Sequence, residues 1–191
     1  FNLKSIDIWR KKNLMIFSII VPVFNEEKTI LKILNTLNSL SFLEFKKEII
    51  VVDDGSTDNT RNILNQNKSL YSSLYLNEKN MGKGAAVKLG LENCKGDYVV
   101  FQDADLEYDP NDLIKFEEVF LKFNADGVIG SRFNYDKYTR SHSIMNKIGN
   151  YILTLLFNIL YNTTFTDIYS CYFAFNKKLI NFNNLKVDGF A

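Results

Sequence analysis

Histidine and cysteine are scarce in this chain of 191 residues, and the few that it contains are isolated from one another. The one histidine, His142, excludes any mechanism that needs two imidazoles. The two cysteines, Cys94 and Cys171, are far apart and have no clustered histidine near them, so neither a zinc site nor a disulfide framework is recognisable. This pattern favours a reducing compartment.

The chain also lacks an excess of charge and a long apolar run. Its 23 basic and 22 acidic residues leave a net charge of +1, whereas nucleic-acid-binding proteins usually carry a basic surplus, so no nucleic-acid partner is expected. No apolar run reaches the roughly 18 residues of a transmembrane helix, and no signal-peptide cleavage site follows the basic segment at 10–12. A hydrophobic content of 46% with 24% charged residues instead predicts a globular domain.

Apolar, β-branched segments alternate along the chain with segments of helical periodicity. Strands are predicted at residues 16–21, 49–52, 73–76, 97–101 and 126–129. Helices are predicted at about residues 30–40 with Asn25 as N-cap, through 63–64, at 85–91, from Pro110 to about 123, and at 144–161. The alternation predicts an α/β fold in which helices flank a mostly parallel sheet. Residues 1–14 are predicted to be an N-terminal extension, and residues 15–191 the domain itself.

The most informative segment lies at residues 99–110, where an apolar strand ends in acidic residues at every second position. These residues are Asp103, Asp105, Glu107 and Asp109. Carboxylates gathered at the end of a strand repel one another unless a positive charge lies between them, and a divalent cation suits them best. Asp109 precedes Pro110, so we expect it to cap the following helix.

Two further polar clusters occupy equivalent positions in the chain. Residues 22–27 follow the first predicted strand, and residues 53–58 follow the second. In an open α/β sheet, ligands bind beyond the carboxyl ends of the strands. One cluster alone would be explained by the preference of Asn, Asp, Ser and Thr for caps and turns, but the three clusters together indicate one functional crevice.

In their order and spacing, these segments resemble the family 2 inverting glycosyltransferases, and most closely the branch of dolichol-phosphate mannosyltransferases and bacterial polyprenyl-phosphate glycosyltransferases. The resemblance is carried by residues 18–27, 51–58, 80–84 and 102–110, and it covers about residues 16–191. It implies a GT-A-type, Rossmann-like fold. It also implies a hexosyltransferase that transfers a sugar, with inversion, from a GDP- or UDP-sugar to a dolichyl or undecaprenyl phosphate. Such an enzyme lies peripherally on the cytoplasmic side of a membrane.

The resemblance assigns a donor site and a metal site. Six residues match the family's nucleotide-binding segments; they are Pro22, Phe24, Asn25, Glu26, Asp53 and Asp54. Lys83, which lies between two glycines, is suited to bind phosphate. A core position is the alternative for Phe24. Asp103 and Asp105 match a catalytic Asp-x-Asp pair that binds Mg²⁺ or Mn²⁺, with Glu107 as an accessory ligand. Such a cation acts as a Lewis acid on the departing diphosphate.

The acceptor side is matched to the second half of the chain. Arg132 and Arg140 match residues that bind the acceptor phosphate, and Arg132 is also expected to take part in catalysis. Because a phosphate acceptor is already ionised at neutral pH, no strong general base is needed. The helix at 144–161 matches one that lies against the membrane beside the acceptor site, and a core-packing amphipathic helix is the alternative.

The chain departs from the family pattern in two places. It reads Ser170-Cys171-Tyr172 where many members have Ser-Gly-Phe, and it ends soon after Gly189-Phe190, where members continue, so a C-terminal truncation is expected. Two other functions therefore stay open. One is a family 2 transferase that acts on a sugar hydroxyl of a cell-surface glycan and needs a base from the missing part. The other is a metal- and nucleotide-binding fragment without turnover.

Overall fold

A six-stranded sheet forms the centre of the computed structural model, which describes residues 15–131, 144–170 and 172–180. Its strands are β1 (Met15–Val23), β2 (Phe45–Asp53), β3 (Ser73–Leu76), β4 (Tyr98–Phe101), β5 (Gly127–Ile129) and β6 (Phe173–Asn176). They lie in the order β3-β2-β1-β4-β6-β5. The first four strands pair with one another in parallel, whereas β6 runs antiparallel to both β4 and β5. The predicted α/β fold with a mostly parallel sheet is confirmed.

Helices cover both faces of this sheet. They are α1 (Ile30–Ser39), α2 (Thr60–Gln66), α3 (Lys83–Asn93), α4 (Leu113–Phe123) and α5 (Ile144–Tyr161). Alternate residues of β1 enter two different cores: Phe17 and Ile19 pack in one with α1 and α4, and Ile20 packs in the other with α3. The continuous apolar run of β1 is therefore explained by burial on both faces. At the α3 contact, a Cβ added to Gly90 would lie 2.5 Å from the Ile20 side chain, so this close approach requires glycine.

Two local predictions differ from the structure. Asn25 is not the N-cap of α1, which begins at Ile30 after Thr29. Instead Asn25 has a left-handed backbone (φ 56°), and its side-chain oxygen accepts hydrogen bonds from the backbone N–H of Thr57 (2.8 Å) and Asp58 (3.3 Å). Pro110 begins a 3₁₀ turn, and α4 itself starts at Leu113, although the predicted capping role of Asp109 is confirmed by its bond from the Asn111 N–H (3.0 Å).

Strand β6 was not predicted at all. Only four residues form it, and they lie between β4 and β5 in the sheet although they follow both in the chain. Partners so distant in sequence leave no local signal of pairing. The segment after α5 is thereby placed beside the strand that carries the acidic residues.

Glu117 on α4 ties that helix to the beginning of β2. Its carboxylate is 2% exposed and accepts hydrogen bonds from the backbone N–H groups of Leu43 (2.9 Å), Glu44 (2.7 Å) and Phe45 (2.7 Å). Three backbone donors are satisfied by one buried carboxyl group, which is a structural role far from the carboxyl ends of the strands.

Candidate functional site

A cavity of about 250 Å³ lies beyond the carboxyl ends of β1, β2 and β4. Its walls come from the polar segments that follow these strands and from the beginning of α3. The lining residues are Pro22, Val23, Phe24, Glu26, Asp54, Asn80, Gly82, Lys83, Ala86, Asp103, Ala104 and Asp105. The prediction that the three polar clusters meet in one crevice is confirmed.

The loop after β1 presents an aromatic ring and a carboxylate to this cavity. Phe24 lines it and is 41% exposed, so the alternative of a core position is wrong. The loop backbone is held by the segment that follows β2, because the Asn25 N–H donates to Ser56 Oγ (3.0 Å) and the Glu26 N–H to Thr60 Oγ1 (2.9 Å). Asn25 itself braces the loop and does not line the cavity.

The two aspartates after β2 have different surroundings. Asp53 is fully buried; its Oδ2 lies 2.5 Å from Arg61 Nε, and its Oδ1 accepts from the Ser56 N–H at 3.3 Å. It does not line the cavity, and its contact with a nucleotide stays a prediction. Asp54 does line the cavity, but nearly all of its surface is also covered by protein.

Asp54 shapes the loop that leads into α3. Its Oδ1 accepts from Asn77 Nδ2 (2.7 Å) and from the Met81 N–H (3.0 Å), and its Oδ2 accepts from the Gly82 N–H (2.8 Å). Gly82 has φ 92°, a conformation that favours glycine. Because α3 begins at Lys83, its positive end faces the cavity together with the lysine ammonium, an arrangement suited to an anion.

Asp103 and Asp105 form the opposite wall. Lys83 Nζ lies 2.6 Å from Asp103 Oδ1 and 2.9 Å from its Oδ2, so an ion pair joins the two walls. Asp105 Oδ1 accepts from the Glu107 N–H at 2.8 Å, which makes a tight turn around Leu106. Glu107 does not line the cavity, and its role as a third metal ligand stays a prediction.

These carboxylates suit a cation that is shared with a ligand. Within residues 15–131, 144–170 and 172–180, no group of three His, Cys, Asp or Glu side chains is arranged to hold a metal ion. Mg²⁺ is usually bound by one or two carboxylates together with substrate phosphates, and Asp103 and Asp105 line the same cavity as the beginning of α3, which suits an anion. The residues therefore fit a Mg²⁺ or Mn²⁺ that arrives with a diphosphate.

Desolvation raises the pKa of Asp105 above its ordinary value, although the residue is exposed to solvent. The charges of Asp103 and Glu107 raise the pKa further, and the Glu107 N–H and Lys83 oppose the shift. An aspartate with a raised pKa is one whose ionised form is disfavoured by the fold, as expected where carboxylates converge.

We expect Asp105→Asn to leave the metal-free protein at least as stable as the wild type at neutral pH, because asparagine keeps the acceptor for the Glu107 N–H and removes a disfavoured charge. Since the folded-state pKa of Asp105 is raised, its ionised carboxylate lowers the stability of the wild type above that pKa. This loss of stability disappears as the pH falls through the folded-state pKa. The difference in unfolding free energy between variant and wild type should therefore shrink on acidification. Urea denaturation at a series of pH values measures it, and a difference that grows on acidification would contradict the assignment.

The backbone of the acidic wall is supported by two buried residues for which the sequence predicted no role. Gln102 is fully buried, and its Nε2 donates to the carbonyl oxygens of Asp103 (3.0 Å) and Tyr108 (3.2 Å). Tyr172, from the segment before β6, places its hydroxyl 3.0 Å from Gln102 Oε1. The available signal was a glutamine directly after a buried apolar strand, where an unsatisfied amide would be costly.

Helix α5 turns its polar side inward. Asn150 Nδ2 donates to the buried Asp167 (2.9 Å), and Asn158 exchanges hydrogen bonds with the backbone of Phe165 (2.8 and 2.9 Å). The apolar side chains of the same helix are 46–77% exposed; they are Ile148, Ile152, Leu155, Leu156, Ile159 and Leu160. We call these six residues the outer face of α5. The predicted helix is confirmed, but the core-packing alternative does not describe this face.

Some predicted features lie outside what the structure describes. Arg132, Arg140 and residues 1–14 are among them, and their predicted roles are not tested by it. Among the helices of the described residues, none combines the length and apolar character needed to cross a membrane.

Comparisons with known proteins agree on one family. A family model described as "Glycosyl transferase family 2" matches residues 18–182. A UDP-N-acetylglucosamine–dolichyl-phosphate N-acetylglucosaminyltransferase of Methanococcus voltae is 30% identical over 179 residues, which cover 85% of this chain and 70% of the relative. An undecaprenyl-phosphate 4-deoxy-4-formamido-L-arabinose transferase of Pseudomonas savastanoi is 39% identical over 101 residues, which cover 50% of this chain and 30% of the relative.

A solved structure is similar over most of the chain. The crystal structure of S. aureus TarS 1-349 in complex with UDP-GlcNAc superposes with a TM-score of 0.61 and 27% identity, covering 86% of this chain and 46% of TarS. The chain spans only 30–64% of the length of several of the curated relatives that it matches.

Proposed function

Because the chain belongs to glycosyl transferase family 2 and has a GT-A-type fold, we propose that it transfers a sugar, with inversion, from a nucleoside diphosphate sugar to a polyprenyl phosphate. The observation that carries the proposal is the convergence of two carboxylates, a lysine and a helix N-terminus on one cavity at the end of the sheet. Residues 15–191 are proposed to form the transferase domain.

The donor is proposed to bind across this cavity. Phe24 and Pro22 offer apolar surface to the nucleoside, and the diphosphate lies toward Lys83 and the start of α3. Lys83 can exchange its ion pair with Asp103 for a phosphate oxygen, which leaves Asp103 and Asp105 to hold a Mg²⁺ or Mn²⁺. When bound, the cation supplies a Lewis acid that stabilises the negative charge of the departing nucleoside diphosphate.

The acceptor is proposed to be a polyprenyl phosphate because relatives named for both dolichyl and undecaprenyl phosphate match the chain. A phosphomonoester has a second pKa of about 6, so its oxygen is already a nucleophile at neutral pH and needs no strong base. A chain with a single histidine is consistent with this requirement. Arg132 and Arg140 are proposed to bind the acceptor phosphate through their planar guanidinium groups.

A sugar-transfer assay tests this function. The protein is incubated with Mn²⁺, undecaprenyl phosphate and one of UDP-glucose, UDP-N-acetylglucosamine or GDP-mannose. The mass of the lipid product is then measured by mass spectrometry. We expect one donor to add a single sugar to the lipid phosphate. Transfer to an oligosaccharide hydroxyl without transfer to the lipid would favour a glycan acceptor instead. UDP binding without any turnover would favour a nucleotide-binding fragment.

The outer face of α5 is proposed to lie on the cytoplasmic surface of the membrane that holds the lipid acceptor. Its inward polar residues are already hydrogen-bonded to residues 163–168, so the helix cannot turn its apolar side into the protein without breaking these bonds. An amphipathic helix with such a face binds in the headgroup region in proportion to the apolar area that it buries.

We expect the double substitution Ile152→Glu, Ile159→Glu to weaken binding to phosphatidylglycerol-containing vesicles by more than about tenfold, since two apolar contacts of about 1.5 kcal/mol each are replaced by charges. Co-sedimentation measures the bound fraction. Leu43→Glu is the matched control, because Leu43 is 89% exposed and lies on a loop before β2. Equal losses in the double variant and in Leu43→Glu would contradict the role of α5.

A further inference from the structure

The Tyr172 side chain joins three parts of the candidate site. It is 2% exposed, and its ring packs against Tyr108 (centroids 5.0 Å apart) and Phe116 (5.1 Å). Its hydroxyl lies 3.0 Å from Gln102 Oε1 and 3.2 Å from the carbonyl oxygen of Asp109, and donates to both acceptors. We call residues 103–109 the acidic loop. The hydroxyl proton of Tyr172 is therefore shared between Gln102, the residue before this loop, and Asp109, its last residue.

Gln102 passes this contact on to the loop. Its Nε2 donates to the carbonyl oxygens of Asp103 and Tyr108, near the two ends of the acidic loop. The amide can do so only while its oxygen points the other way, toward a donor, and the Tyr172 hydroxyl is that donor. If the amide turned over, its oxygen would face two carbonyl oxygens, so these carbonyls fix its orientation and leave Oε1 to accept from the Tyr172 hydroxyl.

The acidic loop needs such support because its backbone is strained. Leu106, between Asp105 and Glu107, has φ 65°, a left-handed conformation that a branched side chain rarely adopts. Strained residues persist where surrounding contacts over-determine them. One such contact is the hydrogen bond that the Glu107 N–H donates to Asp105 Oδ1. The others are the bonds that Gln102 and Tyr172 donate to the carbonyl oxygens of residues 108 and 109.

We propose that Tyr172 is a positioning residue that, through Gln102 and the Asp109 carbonyl, holds the acidic loop in the shape that directs Asp103 and Asp105 into the cavity. Its backbone oxygen also accepts from the Gly130 N–H (2.8 Å), at the beginning of the segment that leads to Arg132. Tyr172 thus connects the metal-binding wall with the acceptor segment. The effect on donor binding rests on the proposed function, whereas the ordering of the loop does not.

Tyr172→Phe tests the proposal, because it removes the hydroxyl and keeps the ring packing. Backbone amide exchange, followed by mass spectrometry on peptides that contain residues 103–109, should become about fivefold faster than in the wild type, the factor given by the loss of one ordinary hydrogen bond. Gln102→Met also removes the two amide bonds to the loop carbonyls, so it should accelerate exchange at least as much. The double variant should show less than the product of the two single accelerations, since the two residues share one contact. Faster exchange confined to this loop supports the proposal.

Tyr71→Phe is the matched control, because Tyr71 also donates from its hydroxyl to a backbone carbonyl, that of Leu64 (3.0 Å), away from the cavity. It should leave exchange in residues 103–109 unchanged. With Mn²⁺ present, the affinity of Tyr172→Phe for UDP should fall about fivefold, because the same lost hydrogen bond loosens the loop that carries Asp103 and Asp105. In EDTA the affinity should not change. Unchanged exchange in the acidic loop of Tyr172→Phe would overturn the inference whatever the nucleotide data show. Absence of Mn²⁺-dependent binding of both UDP and GDP in the wild type would overturn the proposed function and leave the exchange result to decide the inference.

Discussion

Asp103→Asn is expected to lower the rate of sugar transfer on the order of 10²–10³-fold, the loss that follows removal of one preorganised electrostatic contact at a developing charge. The substitution keeps the shape of the side chain and removes the charge that pairs with Lys83 and that is proposed to hold the cation. Release of nucleoside diphosphate at saturating donor and Mn²⁺ measures the rate. The double variant Asp103→Asn, Asp105→Asn should lose little more than the single variant, since residues that share one ligand act as a unit.

Asp112→Asn is the matched control for this prediction. Asp112 also pairs with a lysine at 2.6 Å, in this case Lys115, but neither residue lines the cavity. Loss of a surface ion pair of this kind is worth less than about 1 kcal/mol. If Asp112→Asn and Asp103→Asn reduce the rate equally, the special role of the acidic wall is wrong.

Asp54→Asn is expected to lower the free energy of unfolding by about 2–4 kcal/mol and to weaken UDP binding by more than about tenfold. An asparagine can present only one oxygen, so its Nδ2 would face a backbone donor, either the Gly82 N–H or the Met81 N–H. Because nearly all of the Asp54 surface is covered by protein, this conflict is costly, and the loop that carries Lys83 should move. Urea denaturation and calorimetric titration of UDP measure the two effects.

Glu117→Gln separates loss of stability from loss of the site. Glu117 is another buried carboxylate that accepts several backbone hydrogen bonds, and it lies on α4 at the beginning of β2, away from the cavity. We expect a comparable decrease in stability with UDP binding unchanged. If UDP binding weakens in both variants in proportion to stability, the loop-shaping role of Asp54 is not supported.

The fold and the position of the site were predictable because both follow from local patterns. The apolar runs of β1 and β2 indicate strands that are buried on both faces, and the alternation of strands with helices indicates a parallel sheet. Polar segments that follow parallel strands must then meet at one edge. These steps need no knowledge of which side chain contacts which.

The different contacts made by neighbouring residues could not be predicted in this way. Asp53 and Asp54 are adjacent and chemically identical, yet Asp53 faces Arg61 in the interior and Asp54 faces the loop of Gly82. Which carboxylate reaches the cavity depends on the register of β2 against its neighbours and on a loop some 25–30 residues away in the chain. The contact between Tyr172 and Gln102 is more distant still, and it depends on the insertion of β6 beside β4.

We propose that the cavity binds a nucleoside diphosphate through a divalent cation held by Asp103 and Asp105. Calorimetric titration of UDP into the wild-type protein, once with Mn²⁺ and once with EDTA, tests it most directly, and GDP serves as the second nucleotide. We expect one of the two nucleotides to bind at least about tenfold more tightly with Mn²⁺, a difference of about 1.4 kcal/mol. Equal affinity with and without Mn²⁺, or no binding of either nucleotide, would contradict the claim.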